Sequence, residues 1–413
     1  MSEHPFLAHR TVLSAWTRAV DGGMSGAEFE ALVLGLDDAV KAVDGRGIVR
    51  SPTVSFAADA IGDGIAVIGK LEASSVSGSH KSRHLFGLMV GLLVDEKLAG
   101  AGAGDERAGL AIASCGNAAL AAAVIARAAK WPIAVFVPPD AAESTVSRLG
   151  ALGAEIVACE RRPSEPGDPC VLRFREAVAA GAIAFCCQGT DNAETLDGGA
   201  VLGREFAQDL LDGDESVDHV FVQVGGGALM TGVWRGMRHT LIAAGANLPR
   251  FHAVQTLGGY PLVRAWRIAI DDVTARLAGG LAAAAVDPRF AVEAAAGKAA
   301  AHSRASIYRR MAEEPECYMW PWHNAPRSIA SGILDDETYD FADCIEAMLE
   351  SRGVALAVSE EALTKSRDLT ESATDVPISY TGAAGLAGLL TAVELGIVRP
   401  GQRVGVILSG ARR

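Results

Sequence analysis

Aromatic residues are scarce in this sequence, and basic side chains are outnumbered by acidic ones. Phe, Trp and Tyr make up 6% of the 413 residues, and 37 Lys and Arg stand against 50 Asp and Glu, for a formal net charge of -13. Nucleic acids and anionic membrane surfaces bind proteins through a basic footprint. The charge balance therefore argues against both as partners, although some basic side chains are expected in any pocket that binds an anion.

Long apolar runs are also missing. No stretch of about 20 uninterrupted apolar residues occurs, so the sequence predicts no transmembrane helix. The first residues, Met1-Ser2-Glu3-His4-Pro5, are polar and do not resemble a secretory signal peptide. We expect a soluble, cytoplasmic protein that binds neither a membrane nor a nucleic acid.

The cysteines lack the spacings of a disulfide framework or a zinc site. There are seven of them, an odd number, none spaced as CxxC, and Cys186 and Cys187 are adjacent. We expect most of them to be small buried hydrophobic residues in a reducing compartment, and we expect no metal site.

What the sequence does contain is a long alternation of strand-like and helix-like segments. This alternation runs through residues 64–72, 85–99, 108–114, 117–130 and 133–137, and it resumes between residues 219 and 255. A repeated strand–helix order predicts an α/β fold, with parallel sheets and right-handed crossovers. The length is ample for two or three domains.

One lysine follows the first of these strand-like segments. Lys81 lies in Ser77-Gly78-Ser79-His80-Lys81-Ser82, where small residues let the chain turn and a helix begin. A buried lysine can have a lowered pKa, which makes its amine nucleophilic toward an aldehyde. Taken alone, the position fits an ordinary surface lysine at a helix start better than a Schiff-base lysine.

A second junction of strand and helix carries Ser114-Cys115-Gly116-Asn117. Small residues there leave backbone N–H groups free at the positive end of a helix, which can bind a carboxylate. The Asn117 side chain can add an amide donor for a phenolic oxygen. An ordinary helix cap by Ser or Asn explains the same residues equally well.

A third junction is Val224-Gly225-Gly226-Gly227-Ala228-Leu229. A glycine turn that opens a helix can wrap a phosphate, although glycine can equally serve a close strand–helix crossing. A dinucleotide fingerprint fits badly, because Met230 stands where GxGxxG requires glycine. The next strand also ends on Gln255 rather than on an acidic residue. Finally, Ser409 follows the last strand, where its hydroxyl could bind a ring nitrogen or simply end the strand.

The order of these four motifs resembles the fold-type II pyridoxal-phosphate enzymes, the relatives of tryptophan synthase β-chain, cysteine synthase, threonine synthase and threonine/serine dehydratase. The resemblance covers roughly residues 45–260 and 375–410, and it includes Arg50-Ser51-Pro52-Thr53, Lys70-Leu71-Glu72 and the segment from Thr381 to Ala387. It implies two three-layer α/β/α domains with mostly parallel sheets and the cofactor in the cleft between them. Residues 1–85 and 191–413 would form the large domain, and residues 86–190 the small substrate-binding domain.

The resemblance also implies roles for individual residues. Lys81 would carry pyridoxal 5'-phosphate as a Schiff base and later move the substrate's α-proton. The other expected cofactor-binding residues are Asn117 for the phenolic oxygen, Gly225, Gly226, Gly227 and Ala228 for the phosphate, and Ser409 for the ring nitrogen. The expected substrate-binding residues are Ser114, Cys115, Gly116 and Gln188.

The implied reaction is less specific than the implied cofactor. A neutral serine at the ring nitrogen favours β-elimination, which indicates a lyase acting on a small amino acid such as serine, threonine or diaminopropionate. A β- or γ-replacement synthase and a cofactor-binding protein without turnover are the alternatives. Gln255 stands where the dehydratases carry a glutamate for a cation, which again predicts no metal. The family resemblance further implies a homodimer with a small amino-acid substrate.

Overall fold

Alternating strands and helices build two sheets in this computed structural model. It describes residues 4–412 except 58–59, 63, 101–106, 164, 166, 278–291, 294, 298–299 and 323–325. The larger sheet contains the strands β1 (Thr53–Ser55), β2 (Ala66–Leu71), β7 (His219–Gln223), β8 (Arg250–Thr256), β9 (Ala355–Val358) and β10 (Arg403–Leu408). Their order in the sheet is β1-β2-β10-β7-β8-β9, and among these described strands only β1 runs antiparallel to its neighbour.

The smaller sheet has four strands, all parallel, in the order β5-β4-β3-β6. They are β3 (Leu110–Ala113), β4 (Ile133–Val137), β5 (Glu155–Ala158) and β6 (Ile183–Ala184). The prediction of an α/β fold with mostly parallel sheets is therefore confirmed.

Helices connect and cover these strands. Before and around the smaller sheet they are α1 (Pro5–Ala8), α2 (Ser14–Asp21), α3 (Gly26–Asp44), α4 (Lys81–Leu98), α5 (Asn117–Ala128), α6 (Glu143–Ala151) and α7 (Pro169–Ala179). Along the larger sheet they are α8 (Thr195–Asp212), α9 (Ala228–Ala243), α10 (Pro261–Leu277), α11 (Ala301–Glu313), α12 (Phe341–Ser351), α13 (Glu360–Thr374) and α14 (Tyr380–Glu394). Among the described residues, no helix combines the length and the apolar character needed to cross a membrane.

The strand order decides which loops can meet. The last strand, β10, lies between β2 and β7 and runs parallel to both, with Val404 opposite Val67 on one side and His219 on the other. The carboxyl ends of parallel strands reach the same edge of a sheet, and ligands of α/β proteins bind there. The segments that follow β2, β7 and β10 therefore come together at one edge.

The described part of the chain has two hydrophobic cores, one for each sheet. Phe29 and Val33 of α3 join the core of the smaller sheet, whereas Val67 and Ile68 of β2 join that of the larger sheet. Residues 1–85 thus contribute to both cores. The domain boundaries at residues 85 and 190 remain a prediction.

Helix α4 is held close to α8 by glycine. A Cβ on Gly198 would lie 2.2 Å from the carbonyl oxygen of Arg83, a distance that any side chain would violate. On its other side α8 packs as closely on α9, where a Cβ on Gly232 would lie 2.6 Å from the Cα of Gly199. Backbone-to-backbone packing therefore fixes the helix that begins with Lys81.

Candidate active site

Lys81 is the first residue of α4 and lies beside the end of β10. The chain reaches it through Gly78, whose φ of +70° is readily available only to glycine. Ser79 then forms a bridge with Gly410, and the His80 backbone N–H donates to the Ser409 carbonyl oxygen at 3.1 Å. These contacts tie the start of α4 to the segment that follows the last strand, although about 330 residues separate them in the sequence.

Two buried histidines flank Lys81. The His80 Nδ1 lies 3.0 Å from the Ser409 carbonyl oxygen, and the His84 Nδ1 lies 2.5 Å from the Thr195 carbonyl oxygen. Because a carbonyl only accepts, each Nδ1 carries a proton. Burial lowers the pKa of His84 to about 4 and that of His80 well below its usual value, with the Lys81 charge acting in the same direction. The lysine is therefore surrounded by neutral rings.

Lys70 has a different environment from Lys81. It is fully buried, and its Nζ lies 2.6 Å from Asp209 Oδ2, 2.5 Å from the Ser51 carbonyl oxygen and 3.3 Å from Glu205 Oε2. In the described residues Lys81 has no hydrogen bond or ion pair that would occupy its amine. Of these two lysines, Lys81 is the one whose amine has no partner among the described residues.

The buried ion network around Lys70 extends under α4. The Arg83 guanidinium donates to both oxygens of Glu72 at 2.9 and 3.0 Å and to Glu205 Oε1 at 2.6 Å. All three side chains are almost inaccessible to solvent. The segment Lys70-Leu71-Glu72, which the sequence pointed to, thus anchors the strand β2 to α4 and α8 rather than contacting the site directly.

Ser409 and Asn117 approach each other around Gly410. The Asn117 Nδ2 lies 3.2 Å from where a Cβ on Gly410 would stand, so only glycine leaves room for the amide there. The Ser409 Oγ accepts a hydrogen bond from the side-chain amide of Gln223, the last residue of β7. The start of α4, Asn117 and the segment Ser409-Gly410 are therefore neighbours, and their role in holding a cofactor stays a prediction.

The glycine turn joins β7 to α9. Gly227 has a φ of +110°, and it precedes Ala228, the first residue of α9. Within the described part of the chain, no acceptor receives a hydrogen bond from the backbone nitrogens of residues 225–230. Free N–H groups at the positive end of a 16-residue helix form a suitable cradle for a phosphate.

An acidic segment lies against this turn. A Cβ on Gly225 would meet Asp335 Oδ2 at 2.5 Å, and a Cβ on Gly226 would meet Tyr339 Cδ2 at 3.2 Å. Burial raises the pKa of Asp335 to about 6, and the Lys81 charge opposes that shift. A carboxyl group with this pKa is partly neutral near pH 6.

Further carboxylates act on the same space. The charges of Asp336 and Asp168 both raise the pKa of Asp335, in addition to the larger effect of burial. Asp168 immediately precedes α7, which lies in the part of the chain that forms the smaller sheet. Asp335 and Asp336 lie in the chain between β8 and β9 of the larger sheet. Acidic groups therefore approach the site from both halves of the molecule.

The expected substrate loop remains open. The Gly116 N–H donates to the Ser114 Oγ at 3.3 Å, Cys115 is exposed, and a Cβ on Gly116 would meet no atom within 4 Å. Asn117, the next residue, begins α5. The loop is joined to the Lys81 cluster through Asn117, and its own residues 114–116 have no direct contact with Lys81 among the described interactions.

Gln188 lies on another loop that reaches the glycine turn. Its Cγ stands 3.8 Å from a Cβ placed on Gly226. The Asp340 carboxylate holds this loop, since it accepts from the N–H groups of Gly189 and Thr190 at 3.0 Å each. Gln188 is thus close to the proposed phosphate cradle.

The arrangement fits a phosphorylated aldehyde of the pyridoxal type. It offers free backbone amides for the phosphate, an unpaired lysine amine for the aldehyde, a side-chain amide at Asn117 and a buried hydroxyl at Ser409. Asp335 does not suit an anion, because its charged form would repel a phosphate on the glycine turn.

Sequence reasoning missed Gln223 and Asp335. Gln223 is a buried polar residue at the carboxyl end of a strand, directly before the glycine turn, and that position was a usable signal. Asp335 belongs to the acidic run Asp335-Asp336-Glu337, but its closeness to Gly225 depends on a fold that the local sequence does not encode.

Comparison with known proteins identifies the family of this chain. A family described as "Pyridoxal-phosphate dependent enzyme" matches residues 46–314, more than half of the chain. None of the curated proteins compared with the sequence matches it.

Solved structures show the same fold at low sequence identity. Diaminopropionate ammonia lyase from Escherichia coli is 14% identical, with a TM-score of 0.62, covering 92% of this chain and 89% of its own. Threonine deaminase isoform 2 from Solanum lycopersicum is 17% identical, with a TM-score of 0.60 and coverages of 95% and 91%. Maize serine racemase is 17% identical, with a TM-score of 0.56 and coverages of 91% and 94%.

Proposed function

The chain belongs to the pyridoxal-phosphate dependent enzyme family, and we propose that it is a lyase acting on a small β-substituted L-amino acid. The reaction would remove the β-substituent and release ammonia and a 2-oxo acid. Serine, threonine and diaminopropionate are the candidate substrates. The observation that carries this proposal is the neutral hydroxyl of Ser409, set beside Lys81 and Asn117 at the edge of the larger sheet.

Each residue of the cluster has a part in this reaction. Lys81 would hold the aldehyde group of the cofactor and, with its amine free, would move the substrate's α-proton. The free amides of residues 225–229 hold the phosphate, and the Asn117 amide donates to the ring oxygen. The bound cofactor supplies the electron sink for the carbanion, as it does throughout this class of enzymes.

Ser409 favours elimination over other fates of the carbanion. A hydroxyl does not keep the ring nitrogen protonated, whereas an aspartate would, so negative charge is less delocalised into the ring. The charge then leaves with the β-substituent. The neutral side chains of His80 and His84 support the same outcome, because they add no cation beside Lys81.

The carboxylates around the site support a particular substrate class. Asp168, Asp335 and Asp336 influence one another electrostatically, and Lys81 is the cation that acts on Asp335. A substrate with an anionic side chain would be repelled in this setting, whereas a neutral or cationic side chain would be accepted. We therefore rank serine, threonine and diaminopropionate above aspartate.

Product release from a panel of amino acids tests the proposal. Serine should give pyruvate and one equivalent of ammonia, and diaminopropionate should give pyruvate and two equivalents. The Lys81→Ala variant should give neither product. Turnover that requires an added nucleophile would favour a replacement synthase, and inversion of serine without ammonia would favour a racemase. Cofactor binding without any turnover would leave a non-catalytic binding protein.

A further inference from the structure

The buried side chain of Gln223 is in contact with the hydroxyl of Ser409. Gln223 is the last residue of β7, the strand adjacent to β10, and it is 3% exposed, while Ser409 is 2% exposed. Its side-chain Nε2 donates to the Ser409 Oγ and lies 3.4 Å from the Gly382 carbonyl oxygen. The Gln223 Oε1, in contrast, has no hydrogen-bond partner in the described part of the chain. A buried amide whose nitrogen donates to a serine hydroxyl while its oxygen is unpaired calls for an explanation.

The orientation of this amide follows from its neighbours. The Gly382 carbonyl can only accept, and it already receives the Ser409 backbone N–H at 3.1 Å. A rotated amide would place the Gln223 Oε1 against that carbonyl, with two oxygens facing each other and no proton between them. The amide nitrogen therefore faces both Gly382 and Ser409.

The amide orientation fixes what the Ser409 hydroxyl can do. With one lone pair of its Oγ receiving the Gln223 proton, the hydroxyl hydrogen must point elsewhere, and the described residues offer it no acceptor. A ring nitrogen with a free lone pair is such an acceptor. A protonated ring nitrogen would instead add a second donor to this oxygen and leave the hydroxyl hydrogen without a partner.

We propose that Gln223 is a positioning residue that turns the Ser409 hydroxyl into a hydrogen-bond donor and so keeps the cofactor's ring nitrogen unprotonated. The proposal rests on the proposed role of Ser409 at that nitrogen. A purely structural alternative exists, in which Gln223 only ties β7 to β10. The two differ in one respect: only a positioning residue alters the electronic state of the cofactor.

The test uses the protein loaded with cofactor carrying 15N in the ring, with the nitrogen resonance as the readout. In the wild type this resonance should lie in the range of an unprotonated, hydrogen-bonded nitrogen and should not titrate between about pH 6 and pH 9. A protonated ring nitrogen in the wild type at neutral pH would overturn the proposal, and this measurement does not depend on any variant folding.

Gln223→Met supplies the second measurement. The resonance should move toward that of a free neutral nitrogen, and the dissociation constant of the cofactor should rise about threefold to tenfold, the effect of one neutral hydrogen bond. In a Ser409→Ala background the same change should add nothing, because Gln223 acts through Ser409. A Gln223→Met protein that binds cofactor with an unchanged resonance would contradict the proposal.

Gln255 provides a matched control. It is a fully buried glutamine on the neighbouring strand β8, bonded to Val224 O, Thr338 Oγ1 and the N–H groups of Leu262 and Val263. Gln255→Met should lower thermal stability without moving the nitrogen resonance. A resonance that moves equally in both variants would assign the effect to general loosening of the sheet. Failure of the wild type to bind cofactor at Lys81 would instead count against the proposed function itself.

Discussion

Lys81 and Lys70 illustrate how environment alone separates two lysines of one fold. Lys70 is enclosed by Asp209, Glu205 and the Ser51 carbonyl, so its amine is engaged in hydrogen bonds and ion pairs. Lys81 lies at the start of a helix, partly buried beside two neutral histidines, with no ion pair of its own in the described structure. Of the two, Lys81 is therefore the lysine whose amine is available to a ligand.

Asp335 gives a pH-dependent prediction. Its pKa of about 6 is raised above the ordinary value, so the group is neutral below pH 6 and charged above it. Only the charged form repels a phosphate on Gly225, by about 1 kcal/mol or about fivefold in binding. The ratio of the cofactor dissociation constants of wild type and Asp335→Asn should therefore be near one at pH 5 and rise to a plateau above pH 7.

Taking the ratio removes the pH-dependent effects that do not involve Asp335 and that the two proteins share. Asp343→Asn, on the start of α12 and paired with Arg235, is the control and should give a flat ratio near one. A flat ratio for Asp335→Asn as well would mean that this carboxylate does not face the phosphate.

The sequence identified residues that belong to recognisable local motifs, and it missed residues that act through long-range contacts. Lys81, Asn117 and Ser409 each lie at a junction of strand and helix or at a strand end, where small residues mark the position. Gln223 matters only because Ser409 reaches it from 186 positions away. Its place at the end of β7 is a local signal, but no local pattern shows that Ser409 is its partner.

At the scale of elements, the position of α4 depends on glycine in α8. Gly198→Ala would place a methyl group 2.2 Å from the Arg83 carbonyl oxygen. Because this contact is between the backbones of α8 and α4, it can be relieved only by a shift of α4. We expect a loss of about 3 kcal/mol in the free energy of unfolding, at the upper end for overpacking, together with weaker cofactor binding. Urea unfolding and cofactor titration measure the two effects.

Gly35→Ala is the matched control for Gly198→Ala. Gly35 lies in the interior of α3, is exposed, and a Cβ there would meet nothing within 4 Å. Alanine should therefore stabilise this helix by about 0.5–1 kcal/mol. If Gly198→Ala were equally harmless, the contact between α4 and α8 would not be what positions Lys81.

The alternation of apolar and polar residues predicted several elements well. Residues 11–45 alternate apolar and polar side chains at helical spacing, with a break at Asp21-Gly22-Gly23, and α2 ends at Asp21 while α3 begins after the Ser25 cap. Strand β9, Ala355–Val358, was not predicted, because a segment of only four residues, two of them alanine, gives little indication of a strand. The sequence also could not assign α3 to the core of the smaller sheet, because an amphipathic helix does not identify its partner.

At the scale of the whole molecule, the acidic groups come from both halves. Asp168 caps α7 by accepting the Cys170 N–H at 2.6 Å, and its charge reaches Asp335 beside the other sheet. Asp168→Asn would keep the helix cap and remove the charge. We expect it to lower kcat/KM for diaminopropionate about twofold to fivefold and to leave serine unchanged.

The salt dependence of the same reaction checks this electrostatic account. In the wild type, added salt should lower kcat/KM for diaminopropionate more than for serine, and Asp168→Asn should reduce that difference. Equal losses for both substrates would point to a structural effect of the substitution. The expected homodimer is a separate question that light scattering of the purified protein would answer.

The most direct test of the central claim is the location of the covalent link to the cofactor. After borohydride reduction and proteolysis, mass spectrometry should find the reduced pyridoxyl phosphate group on the peptide that contains Lys81, and Lys81→Ala should carry none. A group found on Lys70 instead, or an unchanged yield of modified protein in Lys81→Ala, would contradict the account.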